Sequence, residues 1–423
     1  MAIIFVWTVA LGWWKIRLSI FRSYVKTANK KDLIVQIVAD ENIPLLDQFF
    51  SEFGEITKVA GRTMRAEDVA NADILLVRSV TPVNEALLAN SKVRFLGTCT
   101  IGTDHIDLDY IEQRNQTDRK ISFASAPGCN AEAVVDYVLS AVSVLVDKRD
   151  QTFQDLTVGI VGVGNVGLKL RQRLEAMSVK VLAVDPFKQA SEVGELSTLD
   201  EVLAADVISL HTPLTKDGNH PTHHLIDAER LKTMKPNACL INSCRGPVVD
   251  NEALKAHMKD HRDFEAVMDV WEKEPQLDLE LMNRCMLSTP HIAGYSLDGK
   301  MRGTEQIYQA CCETFGLPVR RKLAQFLPDP SIKKIAFGDS VPVHQALRTA
   351  IRAAYEIRVD DGIMRSTLIH TDGNELKMKS SFDQLRKNYP LRRDIPTIRI
   401  EVPSKRLDLK QALEAAGFSV KQK

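Results

Sequence analysis

No two of the seven cysteines stand in a C-x-x-C spacing anywhere in the 423 residues. An odd, scattered set of thiols supports neither a disulfide framework nor a zinc centre, so no metal is expected and the expected compartment is the reducing cytoplasm. Excess charge is missing too, because 55 lysines and arginines balance 55 aspartates and glutamates. A balanced chain gives no global electrostatic case for nucleic acid or an anionic membrane. Neither an internal repeat nor a low-complexity tract is present, which sets aside repeat architectures. The uncharged apolar run at residues 2–14 would span roughly 20 Å as a helix, short of the about 30 Å of a hydrocarbon core. No basic residue precedes it and no small-residue cleavage site follows, so a secretory leader is not expected. Residues 1–32 therefore read as a non-catalytic arm. Contact of residues 1–20 with a membrane surface, through Trp13, Trp14, Lys15 and Arg17, is the weaker alternative.

What is present is a chain long enough, at 44% hydrophobic and 26% charged, to bury the cores of two or three domains. Its organising stretch is Thr157-Val158-Gly159-Ile160-Val161-Gly162-Val163-Gly164-Asn165-Val166-Gly167, a buried-strand pattern passing through a glycine turn into a helix pattern at residues 168–177. Gly162, Gly164 and Gly167 have the G-x-G-x-x-G spacing, in which the first permits a tight turn, the second a close approach to pyrophosphate and the third close helix packing. The unpaired N–H groups at the start of the following helix would face that anion. A second strand pattern at residues 179–184 ends in Asp185-Pro186. An acid there accepts ribose hydroxyls and repels a 2′-phosphate, so the expected cofactor is NAD rather than NADP.

Elsewhere, strand patterns alternate with helix patterns. Those at residues 33–40, 74–79 and 93–98 predict a first parallel α/β unit with Ser79 and Thr100 at its ligand edge. Asn130 precedes an apolar helix pattern at residues 131–146, read as a buried helix joining two units. Strand patterns at residues 207–213, 238–246 and 266–271 then continue the dinucleotide unit. After Pro328-Asp329-Pro330 the character changes, with a helix at residues 346–355 and an edge strand at residues 397–402. The basic pairs Arg386-Lys387 and Arg392-Arg393 read as a solvated face. The expected fold is α/β, with two Rossmann-like doubly wound lobes and a small C-terminal α/β domain for subunit association. Its bounds are 33–130 with 295–322 for the substrate-binding lid, 131–294 for NAD, and 323–423 for dimerisation.

Oxidising a 2-hydroxy acid requires a base for the hydroxyl proton, a cation for the carboxylate and a hydride acceptor. Arg245, at a strand end, offers a planar fork to the carboxylate. His291 can exchange a proton near neutral pH, and Glu274 can orient its imidazole. His220, His223 and His224 lie in a polar loop without a matching acidic cluster. His257 and His261 read as a surface pair, and Cys311 and Cys312 as core thiols. Arg78 stays open as a second cation for a phosphorylated substrate.

Four ordered motifs tie these residues together: the glycine turn, Asn242-Ser243-Cys244-Arg245-Gly246, Asp269-Val270-Trp271-Glu272-Lys273-Glu274-Pro275 and Thr289-Pro290-His291-Ile292-Ala293-Gly294. Over residues 33–316 the chain resembles the D-2-hydroxyacid dehydrogenase family. The resemblance implies catalytic roles for Arg245, Glu274 and His291. It also implies cofactor contacts at Gly162, Gly164, Asn165, Val166, Gly167, Asp185, Thr212, Ser243, Asp269 and Gly294. Further motifs, including Ala39-Asp40-Glu41-Asn42, Val77-Arg78-Ser79 and Gly102-Thr103-Asp104-His105, are similar to one branch of that family. That likeness implies NAD-linked oxidation of 4-phospho-D-erythronate to its 2-oxo acid in vitamin B6 synthesis. It also implies substrate contacts at Ser79, Thr100 and Tyr295, and a homodimer formed through the C-terminal domain. The alternatives are another phosphorylated D-2-hydroxy acid, such as 3-phosphoglycerate, or a non-catalytic NAD-sensing protein.

Overall fold

Short aliphatic runs separated by amphipathic segments fold as the sequence predicts, into parallel strands connected by helices. The computed structural model describes residues 35–371, 373–390 and 392–423. The arm at residues 1–32 and its membrane-contact alternative lie outside the described residues. The chain divides into two compact units, one holding the residues up to Ala126 together with Thr304–Gln325, the other Pro127–Gly303 together with Phe326–Lys423.

In the first unit, β1 (Val35–Asp40), β2 (Gly54–Val59), β3 (Ile74–Val77), β4 (Phe95–Thr98) and β5 (Ser122–Ala124) form a parallel sheet in the order β2-β1-β3-β4-β5. Its central strands are buried, with Ile37, Ile74, Leu75, Leu76, Phe95 and Leu96 fully covered. That double burial explains their continuous apolar sequence. The edge strands β2 and β5 lack such a run and are not evident from the sequence.

The second unit contains β6 (Thr157–Val161), β7 (Lys180–Val184), β8 (Val207–Leu210), β9 (Cys239–Asn242), β10 (Glu265–Met268) and β11 (Leu287–Ser288). Their order is β11-β10-β9-β8-β6-β7, all parallel. The chain leaves β6 outward to β7, then reverses and adds β8 to β11 on the other side. This reversal puts a topological switch point between β6 and β8, where ligands of open α/β sheets bind beyond the strand carboxyl ends.

The C-terminal residues build a smaller parallel sheet from β12 (Lys334–Ala336), β13 (Arg399–Val402) and β14 (Ser419–Gln422), with helices at Val343–Ala354, Ile357–Ile369, Glu375–Lys387 and Leu407–Ala415. Two expectations change here. Residues 397–402 were predicted as an edge strand, yet β13 is the central one. Glu401 looks like a solvent-facing position in the alternation, but Lys334 on β12 and Lys423 just after β14 reach it at 3.1 Å and 2.5 Å and leave it 8% exposed. The C-terminal segment also shares one core with the dinucleotide unit instead of forming a separate body. Its Leu347, Ile351, Tyr355 and Ile395 pack in the same cluster as Val138, Val142 and Val146 of the helix Ala131–Lys148. Ser140 Oγ donates to the Tyr355 carbonyl at 2.7 Å, and the Asp136 carboxylate accepts from the Ile395 N–H at 2.9 Å. The apolar helix is therefore buried within the second unit, where both the large sheet and the C-terminal segment cover it. No helix among the described residues is long and apolar enough to cross a membrane.

Candidate active site

The three glycines of the turn meet three different surroundings. Gly162 has φ +91°, a conformation that side chains resist, and a Cβ there would lie 2.7 Å from the His211 carbonyl oxygen. At Gly167 a Cβ would lie only 1.9 Å from the Gly162 carbonyl oxygen, so helix and strand approach at a distance no side chain allows. A Cβ at Gly164 would meet nothing within 4 Å. The middle position is thus open, at the N-terminus of the helix Asn165–Ala176, with Asn165 and Val166 filling its first turn. That helix starts three residues before the predicted one.

Asp185 follows β7 and turns back to the glycine turn. Its Oδ2 accepts from the Val163 N–H at 2.8 Å, and its Oδ1 accepts from the Phe187 N–H at 3.0 Å. These bonds fix the carboxylate beside the switch point. Thr212 and Ser243 follow β8 and β9 there, and the Ser243 Oγ is buried with no partner in the protein. An open glycine position, a helix N-terminus, a fixed acid and an orphaned hydroxyl fit a dinucleotide.

The register aligns the strand ends. Val161 is opposite Leu210, Leu210 opposite Asn242, Asn242 opposite Met268, and Met268 opposite Ser288. Arg245, Glu274 and His291 follow β9, β10 and β11 at that common rim. Gly246 presses on the next loop so closely that a Cβ would be 2.0 Å from the Trp271 carbonyl oxygen. Arg245 donates through Nη1 to the Cys244 carbonyl at 2.8 Å. His291 Nδ1 and Glu274 Oε1 are 2.6 Å apart, with both side chains partly exposed. Burial opposes ionisation of Glu274, but the hydrogen bond and charge of His291, the charge of Arg386 and the Trp271 N–H outweigh it and hold the carboxyl below its ordinary value. An ionised Glu274 accepts a hydrogen bond from Nδ1–H and leaves Nε2 for chemistry.

Asp269 has a more specific setting than the resemblance implies. It is 1% exposed, and Oδ1 accepts from the Thr289 hydroxyl and the Ile292 N–H at 2.7 Å each, while Oδ2 accepts from the Ala293 N–H at 2.9 Å. Its carbonyl also accepts from the His291 N–H at 2.7 Å. Tyr137 donates to the Thr289 hydroxyl at 2.8 Å and completes the relay. This network holds His291 at φ +58°, a left-handed conformation that costs a non-glycine residue on the order of 1 kcal/mol or more. In the structure the Asp269 side chain is a support for the histidine turn. Gly294 is likewise a packing position, since a Cβ would be 2.1 Å from Asn130 Nδ2.

Ser79 and Thr100 follow β3 and β4 in the first unit. Thr100 Oγ1 bonds with Thr98 Oγ1 at 2.8 Å, which in turn is 3.0 Å from His105 Nε2. Arg78 is anchored by an ion pair of 3.1 Å to the fully buried Asp40 and keeps 32% of its side chain exposed. Tyr295 belongs to the second unit, four residues after His291, and its hydroxyl accepts from Arg386 Nη2 at 3.2 Å. The loop histidines correct one sequence expectation, because acidic partners do reach them. His224 Nε2 is 2.8 Å from Glu272 Oε1, and Asp250 lies 3.8 Å from its Nδ1. Residues 48 and 26 positions away supply what the loop itself lacks. The rings of His223 and His224 stack at 4.1 Å, and one ligand atom from each of His223, His224 and Glu272 lies within 4.8 Å of the others, a grouping that could hold a metal ion. Cys311 and Cys312 are buried, as expected.

Residues 145–293 match the family described as D-isomer specific 2-hydroxyacid dehydrogenase, NAD binding domain, and residues 326–417 match one described only as a domain of unknown function. An erythronate-4-phosphate dehydrogenase of Pseudomonas entomophila is 50% identical over 382 residues, covering 90% of this chain and 98% of the relative. One of Marinobacter nauticus is 46% identical over 389 residues, covering 91% and 99%. The chain belongs to the erythronate-4-phosphate dehydrogenase family. It is therefore an oxidoreductase with an NAD-binding Rossmann domain. Among solved structures, an NAD+-bound 3-phosphoglycerate dehydrogenase of Entamoeba histolytica matches with a TM-score of 0.55 at 24% identity, over 70% of this chain and all of that one. A D-lactate dehydrogenase of Aquifex aeolicus, complexed with NAD and lactic acid, matches at 0.53 and 24% identity, over 66% and 96%. Both show the same fold.

Proposed function

We propose that this protein oxidises 4-phospho-D-erythronate to (R)-3-hydroxy-2-oxo-4-phosphooxybutanoate with NAD, in pyridoxal 5′-phosphate synthesis in the cytoplasm. The observation that carries this reading is the rim on which Glu274 holds His291 at 2.6 Å, next to the strand end that bears Arg245. The planar guanidinium of Arg245 clamps the substrate carboxylate. His291 receives the C2 hydroxyl proton on Nε2, while Glu274 steadies the resulting imidazolium. Bound NAD supplies the acceptor for the hydride leaving C2. Gly162, Gly164, Asn165, Val166 and Gly167 hold the pyrophosphate, Asp185 the ribose, and Thr212 and Ser243 complete the cofactor wall, behind which Asp269 and Gly294 support and pack the His291 turn. Ser79, Thr100 and Tyr295 contact substrate.

The C-terminal segment forms a homodimer in this reading. Val359, Ile363, Ile369 and Leu376 are 56%, 45%, 63% and 79% exposed on or beside its helices, and a second copy would cover them. NADH formation on 4-phosphoerythronate, 3-phosphoglycerate and unphosphorylated erythronate tests the activity, with His291→Ala as control. Turnover is expected to be fastest on 4-phosphoerythronate and to fall about 100- to 10,000-fold in the variant. Equal rates for the two proteins would sink the enzymatic reading, and faster turnover of 3-phosphoglycerate would replace the substrate.

A further inference from the structure

The C-terminal segment does more than cover the dinucleotide unit, since it is fastened to the loop that follows His291. Leu297 N–H donates to the Arg392 carbonyl at 2.9 Å, and Arg392 Nη2 donates to the Ala293 and Ala133 carbonyls at 2.8 Å each. Arg393 pairs with the buried Asp298 at 2.8 Å. Six residues upstream of Arg392, Arg386 occupies the last turn of the helix Glu375–Lys387. Its Nη2 donates to the Tyr295 hydroxyl at 3.2 Å, and its guanidinium carbon is 5.8 Å from the centre of the Tyr295 ring. The Arg386 Nε is buried with no partner in the protein. Lys300 brings a second cation to the same tyrosine, with Nζ 4.0 Å from the ring centre. The positive charge of Arg386 is also among the influences holding Glu274 ionised, which places it within electrostatic range of the histidine pair.

We propose that Arg386, assisted by Lys300, is the recognition site for the substrate's phosphate, so that the C-terminal segment contributes a binding residue to the active site. This rests on the reading that the substrate is a phosphorylated 2-hydroxy acid. Arg245 is committed to the carboxylate, and a dianionic phosphoester at the far end of the same molecule needs cations of its own. A guanidinium with one edge satisfied by Tyr295 and a buried Nε unsatisfied has donors to offer. Its planar fork matches two phosphate oxygens, and Lys300 adds a point charge. Tyr295 then holds the fork in place by its hydroxyl and by its ring face.

Two measurements on the NAD-loaded protein test the site, with Arg386→Gln, Arg386→Lys, Lys300→Met and Arg78→Gln as variants. The first is the ratio of kcat/KM for 4-phosphoerythronate to that for erythronate. The ratio should fall roughly 30- to 100-fold in R386Q, through KM, and fall less in R386K. The second is the affinity for inorganic phosphate, read by calorimetry, which should weaken in R386Q and K300M and be spared in R78Q. An unchanged ratio in R386Q, a uniform loss on both acids with a displaced pH profile, or phosphate binding lost only in R78Q would each overturn the proposal. If R386Q proves unfolded by circular dichroism, R386K and K300M decide by the same two readouts. No turnover of 4-phosphoerythronate by the unsubstituted protein, with phosphate binding still dependent on Arg386, would overturn the substrate reading and leave the anion site standing.

Discussion

The two large parallel sheets end in rims of different chemistry. Beyond β3 and β4, the first unit offers the hydroxyls of Ser79 and Thr100 and an arginine already tied to a buried aspartate. Beyond β6 to β11, the second unit offers a glycine turn, a fixed acid, a carboxylate–imidazole pair and a guanidinium. Under the proposed function, similar backbone architecture carries orientation on one rim and proton and hydride chemistry on the other. The topology says only where ligands gather, and the residues beyond the strand ends decide what happens to them.

The largest break in that asymmetry should come from Arg245→Gln. Without the fork the carboxylate loses a bidentate charged contact, and kcat/KM for any 2-hydroxy acid should fall on the order of 1,000-fold, with the fold retained by circular dichroism. A fall under tenfold would remove Arg245 from the clamp. Asp269→Asn comes next. Asparagine offers one acceptor where the turn uses two, so the Ile292 or Ala293 N–H loses its partner at a cost of about 1–3 kcal/mol. Because the displaced group is His291, kcat should drop about tenfold or more while KM for NAD changes little. A change in KM for NAD alone would instead mark Asp269 as a cofactor contact.

Much of the second unit was legible in the sequence because its candidate site positions follow buried strands directly. The glycine spacing, Asp185, Arg245, Glu274 and His291 each sit within a few residues of an apolar run, and the register makes those runs end together. Less visible was anything built from segments distant in the chain. The Tyr137–Thr289–Asp269 relay spans 152 residues between its first two members. Arg386 meets Tyr295 across 91 residues and looked like part of a solvated basic face. His224 and Glu272 are separated by 48. Local periodicity cannot report such meetings. The strand β13 was misplaced for a related reason, since its charged residue is matched by lysines on or beside flanking strands that are weakly patterned themselves.

Cofactor choice should separate the rims further. Asp185→Ala removes the acid that the Val163 and Phe187 N–H groups hold in place, and the preference for NAD over NADP should shrink about tenfold, measured as the ratio of kcat/KM values. An unchanged ratio would take Asp185 out of the ribose site. A smaller effect concerns acid stability. Glu274 has a lowered folded-state pKa, so its ionised form contributes fully above the unfolded carboxyl value of about 4.3, and that contribution is lost as pH falls through the folded value. The melting-temperature gap between the protein and Glu274→Gln should accordingly shrink as pH falls below about 5. A gap that widens toward acid would contradict an ionised Glu274.

Ser79→Ala should have the smallest effect, and it tests whether the hydroxyl rim does anything beyond orienting substrate. Ser79 is exposed and makes no structural bond on which the fold of the first unit depends, whereas Thr100 is bound into the Thr98–His105 chain. Losing one neutral hydrogen bond to substrate is worth about 1 kcal/mol, so KM for 4-phosphoerythronate should rise roughly fivefold with kcat nearly unchanged. Such a split means that the contact is equally strong in the bound substrate and in the transition state. A fall in kcat comparable to that of Arg245→Gln would erase the distinction between the rims, because a hydroxyl with no charge of its own would then be acting on the reacting atoms.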